Sequence, residues 1–140
     1  MAKRILLLVI FITIFIFGGC SSINYSVSYD DCIFYGTKKI MIDSYDDYNK
    51  NLECEDVNRY NEEFFLDNNL VVLRCERSSS IKLIVKSVEV NENALIVNIK
   101  EKLINWFDTV ATSDAIDCII LIEVSKSDVQ NVKEIIVNKR

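Results

Sequence analysis

Two runs, Leu70-Val71-Val72-Leu73 and residues 117–124, are apolar on both faces, the second through the consecutive residues Cys118 to Ile122. Successive side chains of a β-strand point to opposite faces, so such a run is satisfied only where both faces of its sheet are covered. These are the expected central strands, with residues 70–73 and 119–122 the most deeply buried, because a two-faced apolar strand at an open edge invites aggregation. Residues 39–42, 81–90, 94–100 and 133–137 have the composition of further strands. Within them Leu95, Val97 and Ile99 alternate with Ile96, Asn98 and Lys100, giving one buried face and one partly wet face. Asn91-Glu92-Asn93 has hairpin length and residues that tolerate positive φ, and residues 74–80 are expected to leave the central strand as a polar turn. Proline is absent and the last of the three glycines is Gly36, so later turns must be made with Asn, Asp and Ser.

Ahead of the central strands the period is helical. Ser44-Tyr45-Asp46-Asp47 has the layout of a capping box, and Tyr45, Tyr48 and Leu52 follow at helical spacing. A second helix is expected over residues 57–65, with Asp56 as its N-cap and Val57, Tyr60 and Phe64 as its apolar stripe. Together these elements predict a β-rich α+β fold: one compact domain of mainly antiparallel sheet with two short helices, following an N-terminal signal segment.

That segment has three parts. Lys3 and Arg4 form a positive head, residues 5–17 are apolar apart from Thr13, and Gly18-Gly19-Cys20 closes the run with small residues before a cysteine. This is the layout of an export signal. Its end resembles a bacterial lipobox, which implies diacylglyceryl attachment to the Cys20 sulfur and cleavage just before it. The expected division is therefore a lipoprotein signal peptide over 1–19, a lipidated N-terminus and tether over 20–37, and a β-rich domain over 38–140. An uncleaved membrane helix is the competing reading, and the glycine pair and Cys-Ser-Ser argue against it. With Lys3 and Arg4 cytoplasmic in either case, the rest lies at the extracytoplasmic face of the cell membrane.

Charge is uneven. Without Lys3 and Arg4 the chain has 14 basic and 21 acidic residues, and the whole excess lies in residues 43–69. A basic patch for nucleic acid is therefore not expected. Asp46, Asp47, Glu62 and Glu63, within that acidic segment, are candidate contacts for a basic protein partner. A net-acidic surface would also be repelled by anionic lipid, leaving the lipid anchor as the membrane attachment.

With Cys20 assigned to the anchor, Cys32, Cys54, Cys75 and Cys118 remain. Free thiols are the expected state, with Cys32 and Cys54 the pair best placed to bridge if any does, since Cys75 and Cys118 lie in apolar runs where cysteine packs as a small hydrophobe. The chain has no histidine and no Cys-x-x-Cys, so neither a metal centre nor a cofactor is expected. The missing histidine also removes the usual base for a nucleophilic serine or cysteine, and no enzyme activity is expected. Ser79-Ser80-Ile81-Lys82 matches Ser-x-x-Lys spacing but lacks the companion motifs of penicillin-recognising enzymes. Trp106 and Phe107, on the long connection over 103–116, are the remaining candidate recognition residues.

Residues 63–73, the Ser78-Ser79-Ser80 turn and residues 120–126 resemble the C-terminal domain of the PrcB-like family of small bacterial lipoproteins, some of them accessory subunits of secreted protease complexes. The resemblance covers roughly residues 39–137 and implies a compact β-rich domain without catalytic residues. The expected function is a non-catalytic, lipid-anchored envelope protein that binds or stabilises an exported protein partner. The alternative is an envelope module that binds a small molecule or glycan through the 103–116 connection.

Overall fold

A computed structural model describes residues 19–56, 58–104 and 115–140. Its strands are β1 (Ser21–Ser22), β2 (Tyr25–Ser28), β3 (Cys32–Phe34), β4 (Lys39–Ile42), β5 (Leu52–Cys54), β6 (Asn68–Ser78), β7 (Ile81–Asn91), β8 (Ala94–Leu103), β9 (Ala115–Ser125) and β10 (Glu134–Lys139). The helices are α1 (Tyr45–Asn51), after β4, and a single turn α2 (Phe64–Asp67), before β6. One sheet has the order β1-β7-β8-β10, a second has the order β2-β9-β6-β4, and β3 and β5 form a separate two-stranded ribbon.

As their composition requires, β6 and β9 are the two inner strands of the second sheet, and they pair in register from Asn68↔Ser125 to Ser78↔Ala115. Val71, Leu73, Ile120, Ile122 and Val124 point from it toward the first sheet, into a core shared with Leu83, Leu95 and Val97. Leu70, Val72 and Leu121 point the other way, against Phe34, Tyr48, Tyr60 and Phe65. The second sheet is thus the middle of three layers, which is why its central strands are apolar on both faces.

Several expectations are corrected. Residues 21–28 are not a tether: β1 pairs with β7 and β2 pairs with β9, both antiparallel. Ile23, Tyr25 and Val27 alternate with polar residues and pack on the inter-sheet core, and β2 covers what would otherwise be an open edge of β9. Residues 74–78 continue β6 instead of turning away, because β9 extends far enough to pair with them, and the turn is confined to Ser79 and Ser80. The helix expected over 57–65 is replaced by turns that precede α2. Asp56 and Asn61 divert the backbone there, their side-chain oxygens accepting from Asn58 N at 3.2 Å and Phe64 N at 3.0 Å. Val57 lies outside the described residues.

β10 pairs with β8 in parallel, the exception to the antiparallel rule. Its predecessor β9 belongs to the other sheet and offers no hairpin partner. Lys133 N and Glu134 N both donate to Asn93 O, at 2.7 and 3.3 Å, which starts β10 beside the start of β8 and sends both strands the same way. The hairpin itself needs the one left-handed residue in the described chain, Glu92 at φ 52°, where the expected polar turn falls.

Cys32 and Cys54 are joined by a disulfide across the β3–β5 ribbon, where they are register partners, whereas Cys20, Cys75 and Cys118 are free thiols. The expectation of thiols throughout fails at this pair. The bridge ties the start of the outer layer to its middle across a separation of 22 residues, which corresponds to about 3 kcal/mol by loop closure. A Cys54→Ser variant, or the reduced protein, should lose roughly that amount in urea unfolding. An unchanged midpoint would mean the ribbon holds without its bridge.

Candidate functional site

Cys20 stands exposed, immediately before β1, with its thiol 3.0 Å from Glu89 Oε2 on β7. That hydrogen bond is the main reason its pKa lies above the usual thiol range, and it lowers the Glu89 carboxyl correspondingly. Among the described residues no helix is long and apolar enough to cross a membrane. Cys20 is held to the first sheet by the pairing of Ser21 with Val90 and Ser22 with Glu89, which begins one residue after it.

On the far side of the molecule the outer layer gathers part of the expected acidic contact set. Tyr45 of α1, Asn61, Glu62, Glu63 and Leu66 surround one shallow depression. Leu66, 73% exposed, is the most exposed large apolar residue described. Glu62 and Glu63 are free of ion pairs among the described residues, and Asp46 is exposed on the first turn of α1, beside Tyr45. Asp47 is differently engaged. Ser44 Oγ accepts from its backbone N–H at 3.3 Å, as a capping serine should, but its carboxylate lies 3.8 Å from Lys50 Nζ instead of reaching back to the cap.

The patch rests on a base of packed aromatic rings. Tyr45 and Tyr48 stack at 6.1 Å, Tyr60 meets Tyr48 at 5.7 Å and Phe64 at 5.0 Å, and Phe64 meets Phe65 edge-on at 4.9 Å. Tyr60 Oη donates to Glu123 Oε1 at 3.2 Å, and Arg59 joins Glu123 at 3.2 Å to Asp30 at 2.7 Å, tying the outer layer to β9 and to the β2–β3 loop. Burial pushes the Tyr60 phenol up to about 12. Leu66 and Tyr45 were missed as contact residues, although Phe64-Phe65-Leu66 contained the signal: three consecutive apolar residues in one helical turn cannot all face a core.

A second concavity, a cleft of about 350 Å³, lies at one end of the sandwich, where Tyr29, Arg77, Lys82, Asp117, Ile104 and Ile116 converge. Ile104 and Ile116 flank the connection on which recognition residues were expected. Trp106 and Phe107 lie outside the described residues. Cys75 and Cys118 are register partners on β6 and β9, and burial, assisted by the neighbouring thiol, pushes Cys75 up to about 11, which disfavours its nucleophilic form. Ser79 and Ser80 form the β6–β7 turn and Lys82 lies within β7, so the Ser-x-x-Lys match is not at a helix start. No group of three or more acidic or cysteine ligands that could hold a metal occurs among the described residues.

Compared with family models, with curated proteins and with solved structures, the chain matches none.

Proposed function

We propose that this chain is a non-catalytic, lipid-anchored domain of the cell envelope that docks an exported protein partner through the acidic, leucine-tipped surface of its outer layer. The observation that carries the docking surface is Leu66, exposed at 73% beside Glu62, Glu63 and Tyr45. An apolar tip with a charged rim on an ordered base is the general anatomy of a protein interface. The excess of carboxylates selects a partner with a basic face. The anchor is supported by Lys3-Arg4, the apolar run over 5–17 and Gly18-Gly19-Cys20. The resemblance to the PrcB-like family supplies a candidate class for the partner, a secreted protease complex.

A photo-crosslinking residue in place of Leu66 should capture one discrete exported protein from intact cells. Glu62→Lys with Glu63→Lys should reduce that capture about tenfold while leaving the unfolding midpoint unchanged, because like charge now faces the partner. Equal capture from Leu66 and from a control position at Asp128, or capture indifferent to the charge reversal, would refute the surface. The second reading, a small-molecule or glycan module, is favoured by the cleft between Ile104 and Ile116. A ligand that raises the midpoint of wild type but not of Trp106→Ala would support that reading over the first.

A further inference from the structure

The charge of this chain is segregated by the fold, and its net acidity conceals a cationic face on the first sheet. Leu83, Leu95, Val97, Ile99 and Ile135 point into the sandwich, so their alternating neighbours on β7, β8 and β10 form the outer face. Toward one end of that face Lys82 stands directly opposite Lys102, and Lys100 is opposite Ile84. Arg140 continues β10 beside Lys100, its N–H donating to Ile99 O at 3.0 Å, and Lys86 stands at the irregularity between Val85 and Ser87. None of these five cations is in an ion pair among the described residues.

Lys86, Lys100 and Arg140 share a shallow depression whose floor carries an amide ladder. Asn138 Nδ2 donates to Asn98 Oδ1 at 3.0 Å, and Asn98 Nδ2 donates to Ser87 Oγ at 2.8 Å. Like charges placed directly across a strand pair are destabilising unless an outside anion compensates them. The carboxylates on the same face, Glu89 and Glu134, sit toward the opposite end, at the register of Ile96 and Ala94, while Lys82 also borders the end cleft lined by Asp30, Asp31 and Asp117.

We propose that this outer face is a docking surface for the anionic headgroups of a phospholipid membrane. The proposal rests on the anchor reading and on where Cys20 lies. Its sulfur is within 3.0 Å of the Glu89 carboxylate, which projects from that same face, and β1 begins one residue later. Acyl chains leaving Cys20 tether this face by its Glu89 end, and the cations toward its other end then bring the rest of the face down onto anionic headgroups. The acidic patch near Leu66, borne by the layer beyond the second sheet, then points away from the membrane toward a partner. On this reading net acidity does not decide the interaction with anionic lipid, because the leaflet potential is felt only within about a Debye length and the nearest face meets it.

The test is a lysine footprint on the lipid-modified protein purified in detergent and reconstituted into vesicles of phosphatidylcholine, alone or mixed with phosphatidylglycerol. Acylation of Lys82, Lys86, Lys100 and Lys102 should slow about fivefold on the mixed vesicles relative to phosphatidylcholine alone, while Lys50, on the opposite layer, reacts equally on both. Lys82→Glu combined with Lys100→Glu, both exposed positions, should abolish the protection of Lys86 and Lys102. Equal labelling on the two vesicles overturns the docking. So does equal protection in detergent by inorganic phosphate, which would identify a small-anion site instead. The mass of the N-terminal peptide separates the two ideas. A lipidated Cys20 with unprotected lysines refutes only the docking, whereas an unmodified Cys20 refutes the anchor and, with it, the orientation built on it.

Discussion

Replacing Cys20 by alanine should abolish lipid modification and, in a chain exported by a signal that is cleaved without lipidation, should move the domain from the membrane to the soluble fraction. Each buried methylene of an acyl chain contributes about 0.8 kcal/mol to membrane association, so two chains hold a domain firmly where one holds it marginally. Cations near an anionic surface contribute only about 1 kcal/mol each, and salt weakens them, so the basic face cannot replace the anchor. Behind its own segment the variant should retain residues 1–19 and carry no lipid. Wild-type protein should begin at Cys20 with a diacylglyceryl mass. A wild-type chain that begins at Met1 with an unmodified cysteine would identify residues 1–19 as a membrane helix and end the lipoprotein proposal.

The orientation of the domain on such an anchor was not legible in the sequence. It depends on Ser21 and Ser22 pairing with β7, and two serines carry no strand signal strong enough to show it. By contrast, Leu70 to Leu73 and their partners on β9 were readable, because apolar residues at consecutive positions permit few environments. Ser44 was readable as a cap for a local reason: its hydroxyl and the Asp47 N–H are three residues apart whatever the fold does. Asp56 and Asn61 have the same local chemistry and here produced turns, since their side chains compete with helical hydrogen bonds as readily as they start them. The parallel strand β10 depends on Lys133 and Glu134 meeting Asn93, some forty residues earlier, a contact that no local pattern encodes. The candidate docking patch was half visible. Glu62 and Glu63 were marked by charge, but Leu66 emerges only when α2 is seen to be a single turn whose Phe65 takes the buried position.

The three-layer arrangement makes a sharper demand on two adjacent residues of β9. Ile120 faces the inter-sheet core and Leu121 faces the outer layer, and both are fully buried. Ile120→Ala and Leu121→Ala should each cost about 2–5 kcal/mol, through lost transfer energy and the cavity left behind. Against a total of about 5–15 kcal/mol for a domain, either variant should shift the urea midpoint clearly, and the double variant should be largely unfolded at 37 °C if the parent is near the lower end. The two side chains face different cores but share a backbone, so the departure of the double variant from additivity measures how far strain passes from one core to the other. Hydrogen exchange should separate them further. Leu121→Ala should loosen α2 and the turns around Tyr60, which pack on it, and with them the surface that presents Leu66. Ile120→Ala should instead loosen β7 and β8. Strong coupling between the two substitutions, or the same exchange pattern from both, would show that the layers yield as one core and that the docking surface has no separate support.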